Sequence, residues 1–338
     1  MAGEDQGRGR PGEFELIARL FAPLAARFAG AVDLADDVAY LALHDGLVAA
    51  DEELVVKTDA LVAGIHFLVE DPPDLVARKL LRVNLSDLAA KGARPLVYTL
   101  ALMVPPALDY AWLTRFAEGL RLDQEAYGIV LAGGDTVSTP GPLALSVTAL
   151  GAVPAGRRML RGNARPGDGV FVSGTIGDGA LGLKAIQGRL LGLGGEHRAA
   201  LAARYRLPQP RLSLGRRLLG LAHASMDVSD GLIGDLEHIC ATSSVAAVVQ
   251  ATLVPLSDAG RAALAADPGL IEDVLGGGDD YELLFTAPAA DEAALVAIGR
   301  ELEVPVSRIG AIAAGSGVRV EDAAGREIAI ARRGFRHF

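Results

Sequence analysis

Apolar residues Phe14, Leu16, Ile17, Leu20, Phe21, Leu24 and Phe28 recur at helical spacing, which predicts an amphipathic helix at the start of the fold. Val38 to Leu43 and Leu54 to Thr58 read as short strands joined through Asp45-Gly46, a dipeptide that tolerates positive φ. This places Asp59 just past a strand end. Asp74 to Lys91 is helical in pattern and stops at Gly92 and Pro95; Asn84, Asp87 and Lys91 share one of its faces. Strand Pro95 to Val104, helix Asp109 to Ala126, strand Gly128 to Ala132 and strand Leu143 to Leu150 complete a first alternating block. The Gly-, Pro- and Arg-rich stretch Gly151 to Gly169 has the composition of turns and predicts a boundary. Beyond it, strands are expected at Val170 to Ser173, Val245 to Gln250 and Glu282 to Thr286. Helices are expected at Gly179 to Gln187, Leu232 to Ala241 and Asp291 to Leu302. The expected fold class is α/β with mixed sheets in two domains, 13–152 and 163–338, after a disordered tail at 1–12.

The length of 338 residues suits two domains that each bury a core, and 51% hydrophobic residues exclude wholesale disorder. With 32 basic and 42 acidic side chains the formal charge is −10, which argues against a broad nucleic-acid or anionic-membrane surface. Small or metal-escorted ligands fit better. The lone Cys240 permits neither an internal disulfide nor a multi-thiolate metal site, which suits a cytoplasmic protein. The segment Leu96 to Leu108 is broken by Pro105 and Pro106 and falls short of the roughly 20 residues that span a bilayer, so no membrane crossing is expected.

The candidate chemistry lies in aspartates beside glycine or small polar residues: Asp36-Asp37, Thr58-Asp59, Asn84-Leu-Ser-Asp87, Gly133-Gly134-Asp135, Asp227-Val-Ser-Asp230-Gly231 and Gly277-Gly278-Asp279-Asp280. Turns and helix caps account for many such residues in any protein. Asp59, Asp87 and Asp135, however, interrupt apolar surroundings, and if buried they need counter-charge. Convergent carboxylates with Thr and Ser form an all-oxygen set, the chemistry of Mg²⁺, and Mg²⁺ in turn suggests phosphate. Glycines before Asp135 and Asp279 would let backbone N–H groups approach that phosphate.

Other motifs fail or weaken. None of the four lysines follows a glycine, so there is no P-loop. Gly177-Asp-Gly179-Ala-Leu-Gly182 matches G-x-G-x-x-G, but the expected second strand ending in an acidic residue is missing about 20 positions on. No serine-hydrolase elbow or zincin motif occurs, and the six histidines are scattered.

Taken in order, Gly12-Glu-Phe-Glu-Leu-Ile17, Asp36-Asp37, Lys57-Thr-Asp-Ala-Leu-Val-Ala-Gly-Ile-His-Phe67, Asn84 to Ala93, Gly133-Gly-Asp-Thr136, Asp227-Val-Ser-Asp-Gly-Leu232 and Gly277-Gly-Asp-Asp-Tyr-Glu-Leu283 resemble the thiamine-monophosphate kinase family of the aminoimidazole-ribonucleotide-synthetase-like superfamily. The resemblance covers essentially the whole chain after residue 11. It implies a two-domain fold of that superfamily, with the N-terminal sheet pairing across a homodimer, and ATP-dependent conversion of thiamine monophosphate to thiamine diphosphate. It implies several Mg²⁺ ions on Asp36, Thr58, Asp59, Asp87, Asp135, Asp227 and Asp230. ATP contacts are implied at Gly134, Asp135, Arg161 and Ser229, and substrate contacts at His66, Asp279 and Arg332. Lys57 stands where the family pattern has a serine ligand, Asp279 replaces a glutamate, and Arg332 falls where an aromatic residue would stack, with Phe335 as a substitute. The acceptor phosphate is already anionic, so no general base is implied. The rival readings are another ATP-using member of the superfamily and a nucleotide-binding homologue without turnover.

Overall fold

The computed structural model describes residues 13–28, 31, 34, 47–331 and 333–335. The expected strand Val38 to Leu43, its Asp45-Gly46 turn, Asp36, Asp37 and Arg332 lie outside the described residues. The chain divides into two compact units, Met1–Asn84 with Pro95–Ala152, and Leu85–Arg94 with Val153–Phe338.

In the first unit the opening helix is interrupted. Helices α1 (Glu13–Leu16) and α2 (Ala22–Ala25) flank a π-helical stretch, Ile17–Phe21. Pro23 brings no N–H to continue the regular ladder, and the turn before it widens so that Ala22 donates to the Ile17 carbonyl. A four-stranded sheet follows, built from β1 (Glu52–Val62), β2 (Arg94–Val104), β3 (Val130–Ser138) and β4 (Ala144–Pro154) in the order β1-β4-β2-β3. Helices α3 (Pro73–Ala90) and α4 (Tyr110–Tyr127) agree closely with the periodicity. Asp109 caps α4 by accepting the Trp112 N–H at 2.8 Å, and Gly128, at φ 69°, ends it in the left-handed region.

Three strands of this sheet run further than their patterns predict, and β4 does so by reaching Pro154, past the expected end at Leu150 and into the stretch that its composition marks as turns. β1 continues through Asp59 to Val62, so Asp59 lies within a strand instead of past its end. β3 carries Gly133, Gly134 and Asp135 in parallel register with β2, Asp135 opposite Ala101, after a bulge between Tyr98 and Thr99. A Cβ on Gly134 would sit 2.0 Å from the Leu100 carbonyl oxygen. The glycine is therefore required by the close approach of two strands, where the sequence suggests a turn.

In the second unit, β5 (Asp168–Ser173), β6 (Ala224–Asp227), β7 (Ala246–Gln250), β8 (Leu283–Pro288), β9 (Val306–Ala313) and β10 (Gly317–Glu321) form a mixed sheet ordered β10-β7-β9-β5-β8-β6. Alternation along the strands feeds two cores. Val170, Val172 and Leu284 join the layer beneath α5 (Asp178–Ile186), α6 (Gly195–Arg206), α8 (Leu232–Ser243) and α9 (Asp258–Ala266). Phe171 and Phe285, directly paired across β5 and β8 and stacked with centroids 5.4 Å apart, join Ala89, Ala90, Leu214 and Leu295 on the other face. That layer uses α7 (Leu212–Arg217) and α11 (Glu292–Glu301). Between them, α10 (Ile271–Gly276) leads into the Gly277-Gly278 turn.

The first unit also buries a charge. Asp123 on α4 is fully enclosed and accepts from Arg82 Nε at 2.6 Å and Nη2 at 3.0 Å and from Arg78 Nε at 2.9 Å, which fastens α4 to α3. Removing one member of a buried ion pair leaves uncompensated charge and costs about 3–5 kcal/mol. Asp123→Ala is therefore expected to lower unfolding free energy by that amount in urea titrations, and a change below about 1 kcal/mol would contradict the assignment.

Candidate functional site

In the second unit the site is built from two strips of main chain. After β6, Asp227 leads through Val228, Ser229 and Asp230 to Gly231; beside this run lies Gly277 to Glu282, which feeds β8. Val228 donates its N–H to the Glu282 carbonyl at 2.8 Å, Tyr281 donates to Val228 at 2.8 Å, and Asp279 donates to Ser229 at 2.9 Å. Glycine makes the approach possible: a Cβ at Gly278 would lie 2.1 Å from the Ser229 oxygen, and one at Gly231 would lie 2.7 Å from Gly276. Asp279 and Tyr281 both take positive φ, 71° and 53°, a conformation that Asp tolerates better than Tyr. The two motifs quoted separately from the sequence are thus hydrogen-bonded neighbours, and Asp227, Ser229, Asp230 and Asp279 belong to one loop pair.

Three internal carboxylates hold this loop pair: Asp280 and Glu282 stand inside motifs already noted in the sequence, without a role of their own, and Asp235 does not. Asp235, in the first turn of α8, accepts the N–H groups of Ser229, Asp230 and Gly231 on one oxygen, at 3.0, 3.1 and 3.2 Å. Burial, followed by the charges of Asp227 and Asp230, pushes its carboxyl up to about 8. Asp280 accepts Gly177 N–H at 2.7 Å and Gly179 N–H at 2.9 Å. Glu282, fully buried, accepts from Ser173 Oγ at 2.6 Å, Arg204 at 2.9 Å and Arg211 at 2.7 and 2.5 Å. The only sequence signal for these roles is the density of acids around glycine.

The G-x-G-x-x-G match is explained by the same contacts. Gly177, at φ 89°, does join β5 to a helix N-terminus, but Asp280 already occupies the N–H groups that a phosphate would need. The next element is α6, not a strand.

Asp87 and Arg161 each lie near a residue that bonds Ser225 in β6, and Phe335 bonds the loop pair itself. Asp87, half-buried, lies one helical turn before Lys91, whose Nζ donates to the Ser225 carbonyl at 2.7 Å and fastens the end of α3 to β6. Arg161 is exposed and follows Leu160, which accepts the Ser225 N–H at 3.0 Å. At the C-terminal end, Phe335 donates its N–H to the Asp230 carbonyl at 2.9 Å and is 40% exposed; Arg333 pairs with Glu237.

In the first unit the sheet separates the candidates. Thr58 shares the outer face of β1 with Leu54, Val56 and Ala60, and its hydroxyl meets that of Thr148 at 2.8 Å. Asp135 belongs to the outer face too, opposite Ala101, and is exposed instead of buried in apolar surroundings. Asp59 lies on the other face of β1, about one-third exposed (32%), and its Oδ1 is 3.0 Å from Lys57 Nζ. Gly134 lies in β3 beside Asp135. His66 accepts the Val62 N–H on Nδ1 at 3.0 Å, which leaves the neutral ring's proton on Nε2. Among the described residues no three His, Cys, Asp or Glu side chains gather into a preformed metal cage.

The fold and this acid-rich site define a protein of the AIR synthase related class: residues 35–153 match its N-terminal domain and residues 165–323 its C-terminal domain. A thiamine-monophosphate kinase of Caulobacter vibrioides is 43% identical over 330 residues, 97% of this chain and 91% of its own. The crystal structure of thiamine-monophosphate kinase from Stenotrophomonas maltophilia K279a has TM-score 0.77 at 42% identity, covering 91% of this chain and 97% of that one. The structure of AaThiL complexed with AMPPCP and TMP has TM-score 0.75 at 30% identity and covers 97% of both chains. The chain belongs to the thiamine-monophosphate kinase family.

Burial also pushes the Asp280 carboxyl up to about 8. The folded state then keeps a proton that the unfolded chain, with an ordinary carboxyl near 4, releases, so this group's contribution to stability falls as pH rises from about 4 to about 8 and is level above. Asp280→Asn stays neutral. Melting curves at pH 5 and pH 8 should show a larger loss for the natural chain than for the variant; equal losses would place the titration elsewhere.

Proposed function

We infer that this chain transfers the γ-phosphoryl group of ATP to thiamine monophosphate, forming thiamine diphosphate and ADP in thiamine diphosphate biosynthesis. The observation that carries the reading is the family relationship over almost the whole chain, together with motifs that fall in one hydrogen-bonded loop pair. The acceptor phosphate is anionic at neutral pH, so catalysis rests on positioning and charge neutralisation without a general base.

The residues that would hold Mg²⁺ are Asp36, Thr58, Asp59, Asp87, Asp135, Asp227 and Asp230. Their all-oxygen chemistry fits, and the lack of a preformed cage among the described residues suits a cation that takes one or two carboxylates and completes its shell with phosphate oxygens and water. When bound, Mg²⁺ supplies the positive charge that lets two polyanions approach. Gly134, Asp135, Arg161 and Ser229 would meet ATP. His66, whose Nδ1 accepts the Val62 N–H, and Asp279 would meet the thiamine phosphate. Arg332 takes the family's aromatic position, where its charge would repel a thiazolium; Phe335, tethered to the Asp230 carbonyl, is the better stacking partner. Domains at 13–152 and 163–338 would divide these roles.

The reading includes a cytoplasmic homodimer. One buried cysteine suits a reducing compartment, and no helix among the described residues is long and apolar enough to cross a membrane. The outer face of the first sheet exposes Leu54 at 36%, Val56 at 63% and Val137 at 44%, an apolar surface that a second copy would cover. Val56→Glu should then shift the chain from dimer to monomer in light scattering, and a dimer unchanged by the substitution would move the interface elsewhere.

The test of the reaction is product formation from Mg-ATP with thiamine monophosphate, free thiamine or no acceptor, with and without excess EDTA. Diphosphate should form from the monophosphate alone and vanish with EDTA; ATP binding with no acceptor phosphorylated would overturn the reading. Asp87→Asn should lower kcat by roughly 10²–10³-fold with an unchanged unfolding curve, because the lost charge acts on the transition state. Near-normal turnover would remove Asp87 from the metal set.

A further inference from the structure

The C-terminal segment returns to the loop pair along α8. Ile328 donates its N–H to the Val320 carbonyl at 2.8 Å, and Ile330 joins the core layer that α8 covers. Arg333 pairs with Glu237 of α8 and donates to the Val318 carbonyl at 3.2 Å, and Phe335 donates its N–H to the Asp230 carbonyl at 2.9 Å, just before α8 begins. Between these contacts the segment crosses α8 at Gly234, where a Cβ would lie 2.6 Å from the Arg333 carbonyl oxygen and 3.3 Å from the Gly334 Cα. Glycine is, after proline, the least favourable residue inside a helix and alanine the most favourable, so α8 by itself would gain from alanine here. The close crossing is the physical reason for the glycine.

We propose that Gly234, Glu237 and Arg333 are positioning residues for the acceptor: they seat the C-terminal segment on α8 and thereby hold Phe335 at the loop pair. The proposal rests on the reading of Phe335 as the residue that meets the thiazolium, and deepens it by naming what places that residue. Phe335 is 40% exposed, so its place is set by the main-chain tether and the crossing instead of by enclosure in a core. The loop pair does not depend on the segment in return, because Asp235 holds the N–H groups of Ser229, Asp230 and Gly231 independently of it. Loosening the segment therefore weakens the hold on the acceptor and spares ATP.

The test compares the natural full chain with Gly234→Ala, Arg333→Met, Phe335→Ala and the double variant Gly234→Ala/Phe335→Ala. Steady-state kinetics gives KM for thiamine monophosphate and for Mg-ATP, and hydrogen–deuterium exchange read by mass spectrometry follows the C-terminal peptide without relying on turnover. Gly234→Ala should raise KM for thiamine monophosphate roughly tenfold, the scale of a lost cation–π contact, with kcat and KM for ATP unchanged. Its C-terminal peptide should exchange faster while α8 keeps its protection. Arg333→Met should move the same KM by about threefold, the scale of a partly exposed ion pair, and should also speed exchange of that peptide. Phe335→Ala should raise the same KM, and Gly234→Ala should add nothing to it in the double variant, since it acts through Phe335. Natural exchange and KM in Gly234→Ala, an equal rise in KM for ATP, or additive effects in the double variant would each overturn the proposal. If Gly234→Ala loses protection throughout α8, Arg333→Met decides: a raised acceptor KM with faster C-terminal exchange supports the proposal, and natural values for both overturn it. A natural chain that phosphorylates no thiamine monophosphate overturns the kinase reading and this use of Phe335 with it, while the exchange data still decide whether Gly234 seats the segment.

Discussion

The second unit depends on how the buried Glu282 carboxylate is satisfied. An ionised group with no access to water persists only if fixed partners replace its hydration, and here Ser173, Arg204 and Arg211 do so from β5, α6 and the residue before α7. The same residue's carbonyl accepts the Val228 N–H. One side chain therefore fixes where β8 begins, and its main chain fixes the loop that carries Asp227, Ser229 and Asp230. Gly174, at φ 58°, is part of the same constraint, since a Cβ there would meet the Glu282 carboxylate at 2.2 Å.

A second use of internal acids concerns helix N-termini. The start of α5 exposes N–H groups next to glycine, as anion sites do, yet Asp280 fills it, while Asp235 in the first turn of α8 takes the N–H groups of the loop just before that helix. This turns a potential anion site and a loop into scaffolding. Loop residues with positive φ and little side-chain bulk are held in place without a ligand, which suits a reaction that depends on positioning. The raised proton affinity of both acids is the electrostatic cost of that burial.

The first unit uses a sheet to sort charges. Alternation along β1 sends Thr58 to the outer, partly apolar face and the Lys57–Asp59 pair to the other. Asp135 reaches the outer face because a bulge shifts the β2–β3 register just before Gly133. A single inserted residue thus sets which side of the sheet an acid occupies.

Amphipathic periodicity determined α3, α4, α8 and α11 to within a residue or two, because those helices bury one stripe; for α4 the Asp109 cap and Gly128 also mark the ends. The ordered motifs were sufficient to recognise the family, since several short patterns in one order rarely coincide. Local signals could not show that β1 and β3 run through Asp59 and Asp135: glycine and aspartate have turn propensity, and only pairing with a neighbouring strand overrides it. Nor could they show β6, β9 and β10, whose places depend on partners far along the chain. The adjacency of Asp227-Val-Ser-Asp230 and Gly278-Asp-Asp-Tyr281, and the acids Asp235, Asp280 and Glu282 that hold it, were decided by the tertiary structure. Spacing along a chain records helix and strand faces, whereas the choice of which buried carboxylate meets which N–H is made only when distant segments pack and exclude water.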